Sequence, residues 1–208
     1  MNVLAIGAHY DDIELGCGGT IARHVRKGDR VLAYVASNSG YTGYNLQEIR
    51  NSEAARREGE AAMAVLGAEL VPGSFPTFSI EFCEGLNVEI VKLVEEHEID
   101  LVYTHWTGDI HHDHLAVARA SLHSCRHVPR LLMYRSNWYH SDKEFRGNFY
   151  VDISEYWDLK CKAIEAHATE VERTCGAWIS FFHNEATNAG QRIGVKYAEV
   201  FEMVKWLE

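Results

Sequence analysis

The run Val3-Leu4-Ala5-Ile6 contains no polar residue, and it gives way at once to Gly7-Ala8-His9-Tyr10-Asp11-Asp12-Ile13-Glu14. Gly16, Cys17, Gly18, Gly19 and Thr20 follow. A continuous apolar run of this kind reads as a strand covered on both faces, the situation of a parallel sheet. Parallel neighbours need a crossover, and the chain supplies one. Residues 20–27 read as a helix with Ile21, Ala22 and Val25 on one face, ended by Gly28, and residues 31–35 read as the second strand. The chain therefore opens with a βαβ unit, whose crossover is right-handed. One imidazole and three carboxylates then fall at the carboxyl end of a strand, where ligands bind open α/β sheets.

The alternation continues. A polar, glycine-punctuated loop over 37–45 precedes a long helix over 47–66, ended by Gly67, and a short strand is expected at 69–71. A helix is expected at 87–96 with Val88, Val91, Leu93 and Val94 inward, then a strand at 99–104. Helix 115–124, strand 130–134, an edge or antiparallel strand at 149–153, helix 155–170 and a final helix over 197–207 complete the reading. There is no internal repeat and no linker. The pattern predicts one domain over 1–208, an α/β fold built as a Rossmann-like three-layer sandwich with a mostly parallel sheet.

Composition removes several classes of function. A net charge of −10 without any block of Lys or Arg argues against nucleic acid or an anionic membrane as partner. Five scattered cysteines without a C-x-x-C pair argue against a disulfide framework and favour a reducing compartment. No stretch is long and apolar enough to span a membrane, and the N-terminus lacks the features of a secretory signal, so the cytoplasm is the expected setting.

The loop after the 99–104 strand reads His105-Trp106-Thr107-Gly108-Asp109-Ile110-His111-His112-Asp113-His114. It occupies the place in its βα unit that His9–Glu14 occupies in the first. Two strand ends bearing imidazoles and carboxylates would face each other across the sheet edge. Three protein ligands with one open position make a catalytic zinc site, and a mixed His and carboxylate set also suits ferrous iron. Taken singly, His24, His97, His123, His127, His140 and His183 read as ordinary surface or core residues. His105 and His112 read as supporting or solvent-facing groups rather than ligands.

These two segments carry a family resemblance. Ala8-His9-Tyr10-Asp11-Asp12-Ile13-Glu14 resembles the A-H-P-D-D-x-E signature of the PIG-L/LmbE-type metal-dependent deacetylases, and Asp109-Ile110-His111-His112-Asp113-His114 resembles that family's D-x-H-P-D-H. Tyr197-Ala198-Glu199-Val200-Phe201 is similar to its Y-A-E-x-F. Tyr10 and His112 depart from the pattern by replacing prolines. His167-Ala168-Thr169-Glu170 matches the family's H-x-S-Q at two of four positions and receives no role.

The resemblance implies that His9, Asp12 and His114 bind the metal, Zn2+ with Fe2+ or another divalent ion as alternatives. It implies Asp11 as the base that takes a proton from water. His111 would meet the oxyanion or, as an imidazolium, act as acid, with Asp113 fixing and charging it. Glu14 would cap the glycine-rich turn or hydrogen-bond His9. The substrate implied is a small N-acetylated amino sugar or conjugate, and a homo-oligomer stays open because relatives often oligomerise. Tyr41, Tyr44 and Asn45 in the 37–45 loop are candidate sugar contacts, and Arg50 and Arg57 are candidate anion contacts. The competing readings are a metal-dependent phosphoesterase and a non-catalytic metal- or nucleotide-binding module, the last resting on Gly16, Gly18 and Gly19.

Overall fold

The computed structural model describes residues 1–208. In chain order the elements are β1 (Asn2–Gly7), α1 (Asp12–Arg26), β2 (Arg30–Ser37), β3 (Tyr41–Thr42), β4 (Glu48–Arg50), α2 (Ser52–Leu66), β5 (Glu69–Phe75) and α3 (Glu84–Glu96). They continue with β6 (Leu101–His105), α4 (His112–Ser124), β7 (Arg130–Tyr134), β8 (Phe149–Asp152), α5 (Trp157–Glu165), α6 (Ala168–Arg173), α7 (Ala177–Ile193) and β9 (Ala198–Trp206). Seven strands form one sheet in the order β5-β2-β1-β6-β7-β9-β8, and β3 pairs with β4 as a separate hairpin. The first five strands of that order run parallel, while β9 is antiparallel to both its neighbours.

Alternate residues of each central strand feed the two apolar layers, because side chains along a strand point to opposite faces. Val3, Ala5, Val31 and Ala33 pack with α1, α2 and α5, whereas Leu4, Ile6, Leu32 and Val102 pack with α3 and α4. This is the three-layer sandwich expected from the sequence. The chain leaves β1 toward β2 on one side, and β6 lies on the other, so β1 and β6 flank the point where strand order reverses. Their carboxyl ends diverge there and leave a crevice. No helix is long and apolar enough to cross a membrane.

The helix expected to begin at residue 20 begins at Asp12 and bends at Cys17, whose φ of −145° interrupts it. Gly16 has no room for a side chain, since a Cβ would lie 2.1 Å from the Tyr134 ring. The bend frees backbone groups inside the protein, and a buried ion pair takes them. Gly19 and Thr20 donate their N–H groups to the Glu199 carboxylate at 3.0 and 2.7 Å. Lys160 Nζ donates to the Leu15 carbonyl at 2.8 Å and to Glu199 at 2.6 Å. Of the glycines that suggested a nucleotide site, Gly19 thus has its amide taken by the chain's own carboxylate.

Other expectations change. Residues 197–207 form β9, not a helix: Phe201 is fully buried against Tyr103, and strand pairing with β7 and β8 outweighs local propensity. The helix expected over 47–66 yields Glu48–Arg50 to the hairpin and starts at Ser52, capped by the Asn51 side chain. The stretch 155–170 divides into α5 and the start of α6, and α7 lies where no element was expected, between left-handed Gly176 and Gly194. On α3 it is Leu86 and Ile90 that are buried, while Val88 and Val91 are exposed.

Replacing Glu199 by Ala removes the acceptor of two buried amides and leaves the Lys160 charge unpaired. The expected loss is about 3–5 kcal/mol of unfolding free energy, read from the urea midpoint. A loss below about 1 kcal/mol would show that the pair does not hold the bend.

Candidate active site

The crevice is furnished by three strand ends. His9, Asp11 and Asp12 follow β1, His105 ends β6 with the start of α4 close behind, and Ser136 and Asn137 follow β7. Asp12 is nearly enclosed. Its Oδ2 accepts the N–H groups of Ala8 (3.1 Å) and His9 (2.7 Å) and faces His105 Nε2 at 3.1 Å, while Oδ1 accepts the Ser136 hydroxyl at 2.8 Å. Burial alone would raise its pKa, but His114 and His105 outweigh burial and hold it well below the carboxylate range.

The two histidines are each fixed from behind. His9 Nε2 bonds Asp113 Oδ2 at 2.8 Å, and His114 Nδ1 bonds Asp109 Oδ2 at 3.0 Å. The opposite nitrogens turn toward each other and toward Asp12. His9 Nδ1 and His114 Nε2 are 3.3 Å apart, His114 Nε2 is 3.2 Å from Asp12 Oδ1, and His9 Nδ1 is 3.5 Å from Asp12 Oδ2. Donors about 2.0–2.1 Å from one tetrahedral ion stand roughly 3.4 Å apart, so these three side chains fit a zinc-like cation. The electrostatics agree, because the cluster favours positive charge. Burial lowers His9, yet Asp113 and Asp12 raise it to about 8; burial lowers His114, yet Asp12 and Asp109 raise it to about 10. Donor atoms of His9, His111 and His114, and of Asp12, His105 and His114, also lie within 4.8 Å of one another.

His111 caps α4, its Nδ1 accepting the Asp113 N–H at 3.2 Å. Nε2 is therefore the nitrogen that carries the proton. Burial and the neighbouring charges of His114 and His9 lower its pKa to about 4, which favours the neutral imidazole. Asp113 does not support it. That carboxylate is spent on His9 Nε2 and on the N–H groups of Phe78 (2.7 Å) and Ile80 (3.0 Å). Asp109, to which the sequence reading gave no role, aligns His114, accepts the His111 N–H at 2.8 Å and is held by Asn137 at 2.7 Å.

Asp11 has a strained backbone, with φ 133° and ψ −28° at the N-cap of α1. Its Oδ2 accepts from Arg50 at 3.1 Å, yet burial dominates and, with Asp12 nearby, raises its pKa to about 7. Arg50 is no solvated helix charge. It lies on β4, is buried, and is committed to Asp11, the Tyr10 carbonyl (3.0 Å) and Glu58 (3.1 Å). Arg57 lies on the exposed face of α2 beside Glu53. Glu14 reaches neither the turn nor His9: it bonds His167 Nε2 at 2.7 Å, giving His167 a partner that its partial motif match did not suggest.

A cavity of about 320 Å³ opens over these groups, walled by Tyr41, Phe78, Trp138 and Trp178 among others. Tyr41 lines it and bonds Glu170 through its hydroxyl at 3.1 Å. Tyr44 is fully exposed and Asn45 pairs with Gln47 at the hairpin tip, so neither borders the cavity. The two departures from proline are accommodated. The Tyr10 N–H donates to Ser39 Oγ at 2.8 Å, which proline could not do, and His112 occupies the first helical position of α4, where either residue is tolerated.

A switch-point crevice holding a convergent His₂Asp donor set beside a buried carboxylate defines an α/β protein with a candidate metal-binding site. The chain belongs to the PIG-L family: the family model described as GlcNAc-PI de-N-acetylase matches residues 4–125. Among curated relatives it is 34% identical over 183 residues to the uncharacterized deacetylase YaiS of Escherichia coli K12, covering 79% of this chain and 89% of that protein. It is 24% identical over 224 residues to the diacetylchitobiose deacetylase of Thermococcus kodakarensis, covering 97% and 82%. Among solved structures, the 4-carboxy-2-hydroxymuconate hydratase GalB of Pseudomonas putida superposes with a TM-score of 0.82 at 18% identity, covering 100% of this chain and 98% of that one. That likeness shows the fold alone.

The Asp11 carboxyl holds its proton more tightly folded than unfolded, where 3.8 is ordinary. Its stabilising contribution is therefore complete below about pH 4 and lost as pH rises through about 7. In the metal-free protein Asp11→Asn should flatten that part of the urea-midpoint profile against pH. An unchanged slope would mean that Asp11 titrates normally.

Proposed function

We propose that the protein is a divalent-metal-dependent N-deacetylase acting on an N-acetylated amino sugar or a related conjugate. The observation that carries this reading is the convergence of His9 Nδ1, Asp12 and His114 Nε2 within 3.2–3.5 Å, with Asp11 raised to about 7 beside them. The family membership and the two deacetylase relatives support the reaction; the relative named for diacetylchitobiose supports the sugar. His9, Asp12 and His114 would hold the ion, zinc by the spacing of the donors. When bound, such an ion lowers the pKa of a water toward about 7 and polarises the acyl carbonyl.

The chain's own residues do the rest. Asp11, as carboxylate, takes a proton from the attacking water while the water oxygen bonds to the acyl carbon. A base with a pKa near the working pH suits this step. His111 Nε2–H donates to the carbonyl oxygen as it gains negative charge, which a neutral, fixed imidazole does without reorganising. Asp11, now protonated, returns the proton to the amine nitrogen as the C–N bond breaks, releasing acetate and the free amine. Asp113 and Asp109 hold His9 and His114 at their outer nitrogens, which fixes the lone pairs that face the ion. Arg50 sets the position of the Asp11 carboxylate.

Elemental analysis should find close to one divalent ion per chain, lost in His114→Ala. Asp11→Asn should keep the ion while amine release from N-acetylglucosamine derivatives falls about 10²–10⁴-fold. Normal turnover in that variant would remove Asp11 as base, and cleavage of phosphate esters but no amides would transfer the site to a phosphoesterase.

A further inference from the structure

The loop between β5 and α3 places an aromatic side chain where the fold has no use for it. Phe78 has φ 62°, a left-handed conformation that a bulky residue rarely adopts. It is held there by its N–H donating to Asp113 Oδ2 at 2.7 Å, with Ile80 N–H on Oδ1 of the same carboxylate at 3.0 Å. Asp113 is also the group that fixes His9, so one buried carboxylate ties this loop to the centre of the site. Phe78 is 47% exposed and joins neither apolar layer. Its aromatic neighbours are Tyr41 at 5.3 Å, His111 at 5.6 Å, His112 at 6.3 Å and His9 at 6.4 Å between ring centroids. Backbone strain of this kind persists only where surrounding contacts enforce it, and it clusters at functional sites.

Phe78 and Tyr41, edge to face at 72°, both line the cavity, and Ser39, Thr77 and Asn137 supply polar groups to the same lining. The same two rings also line a second, open polar hollow with Asn38, Thr42, Glu48 and Ser52. An apolar plane bordered by hydroxyl and amide groups complements a saturated ring that shows C–H bonds on its face and hydroxyls on its edge. We propose that Phe78 is the specificity-determining platform on which the ring of the amine half of the substrate packs, selecting ring-shaped hydroxylated N-acyl amines over open-chain ones. This rests on the deacetylase reading for the reaction and on Phe78 alone for the selection.

The test compares wild type, Phe78→Gly and Phe78→Tyr, all metal-loaded. Glycine accepts the left-handed backbone without strain, so Phe78→Gly should keep the fold, the metal content and a melting temperature at or above that of wild type. Two quantities are read: kcat/KM for N-acetylglucosamine against open-chain N-acetylethanolamine, and glucosamine binding by calorimetry. In Phe78→Gly the ratio of the two kcat/KM values should fall about tenfold, chiefly through KM for the ring substrate, and glucosamine should bind correspondingly less tightly. Phe78→Tyr should restore both. A ratio within twofold of wild type, or equal losses for both substrates, overturns the platform. If wild type cleaves neither amide yet binds glucosamine more tightly than Phe78→Gly does, the deacetylase reading fails and the platform stands. If wild type neither cleaves nor binds, both fall. Should Phe78→Gly not fold, Phe78→Leu takes its place under the same criteria.

Discussion

Charge held out of water at the carboxyl edge of the sheet is the constraint on which this structure turns. Asp12, Asp109 and Asp113 are all buried, and a buried carboxylate is costly unless every lone pair is met. Each is met by backbone N–H groups and by an imidazole. The backbone donors come from the turn after β1, from the N-cap of α4 and from the loop after β5, so the carboxylates also fix where those segments lie. The histidines they orient are left with inner nitrogens that point at one another. The arrangement is satisfied by a shared positive charge, and that requirement makes the crevice a site and not merely a gap between strands.

Holding Asp11 and Asp12 in place demands unusual backbone. The chain turns from β1 into α1 through a strained Asp11, then breaks that helix at Cys17 within two turns. A close approach to Tyr134 excludes any side chain at Gly16, and the buried Lys160–Glu199 pair takes up the amides and carbonyl that the break exposes. Lys160 and Glu199 lie beyond residues 4–125, the part the family model matches. The first turn of the site is therefore supported by residues far along the chain, on α5 and β9.

Sequence made the parallel core and the two site segments legible because both are local. A continuous apolar run announces a buried strand, and a cluster of imidazoles and carboxylates directly after it needs no tertiary knowledge to notice. What stayed hidden depends on distant partners. Nothing near Asp113 in the chain reveals that its carboxylate turns to His9 and to the Phe78 and Ile80 amides, leaving His111 to its own cap. Glu14 finds His167, and Arg50 finds Asp11 and Glu58, only when α6 and the β3–β4 hairpin close over the crevice. The 197–207 stretch has mixed helix and strand formers, and only the open slot between β7 and β8 decides in favour of a strand.

The central claim is that His9, Asp12 and His114 act together on one ion, and anomalous diffraction from crystals of the zinc-loaded protein tests it most directly. The account predicts a single strong peak about 2.0–2.1 Å from His9 Nδ1, an Asp12 oxygen and His114 Nε2, with at least one further position open to the cavity. A peak bound instead by surface histidines such as His112, or one completed by four protein ligands with no open position, would contradict it.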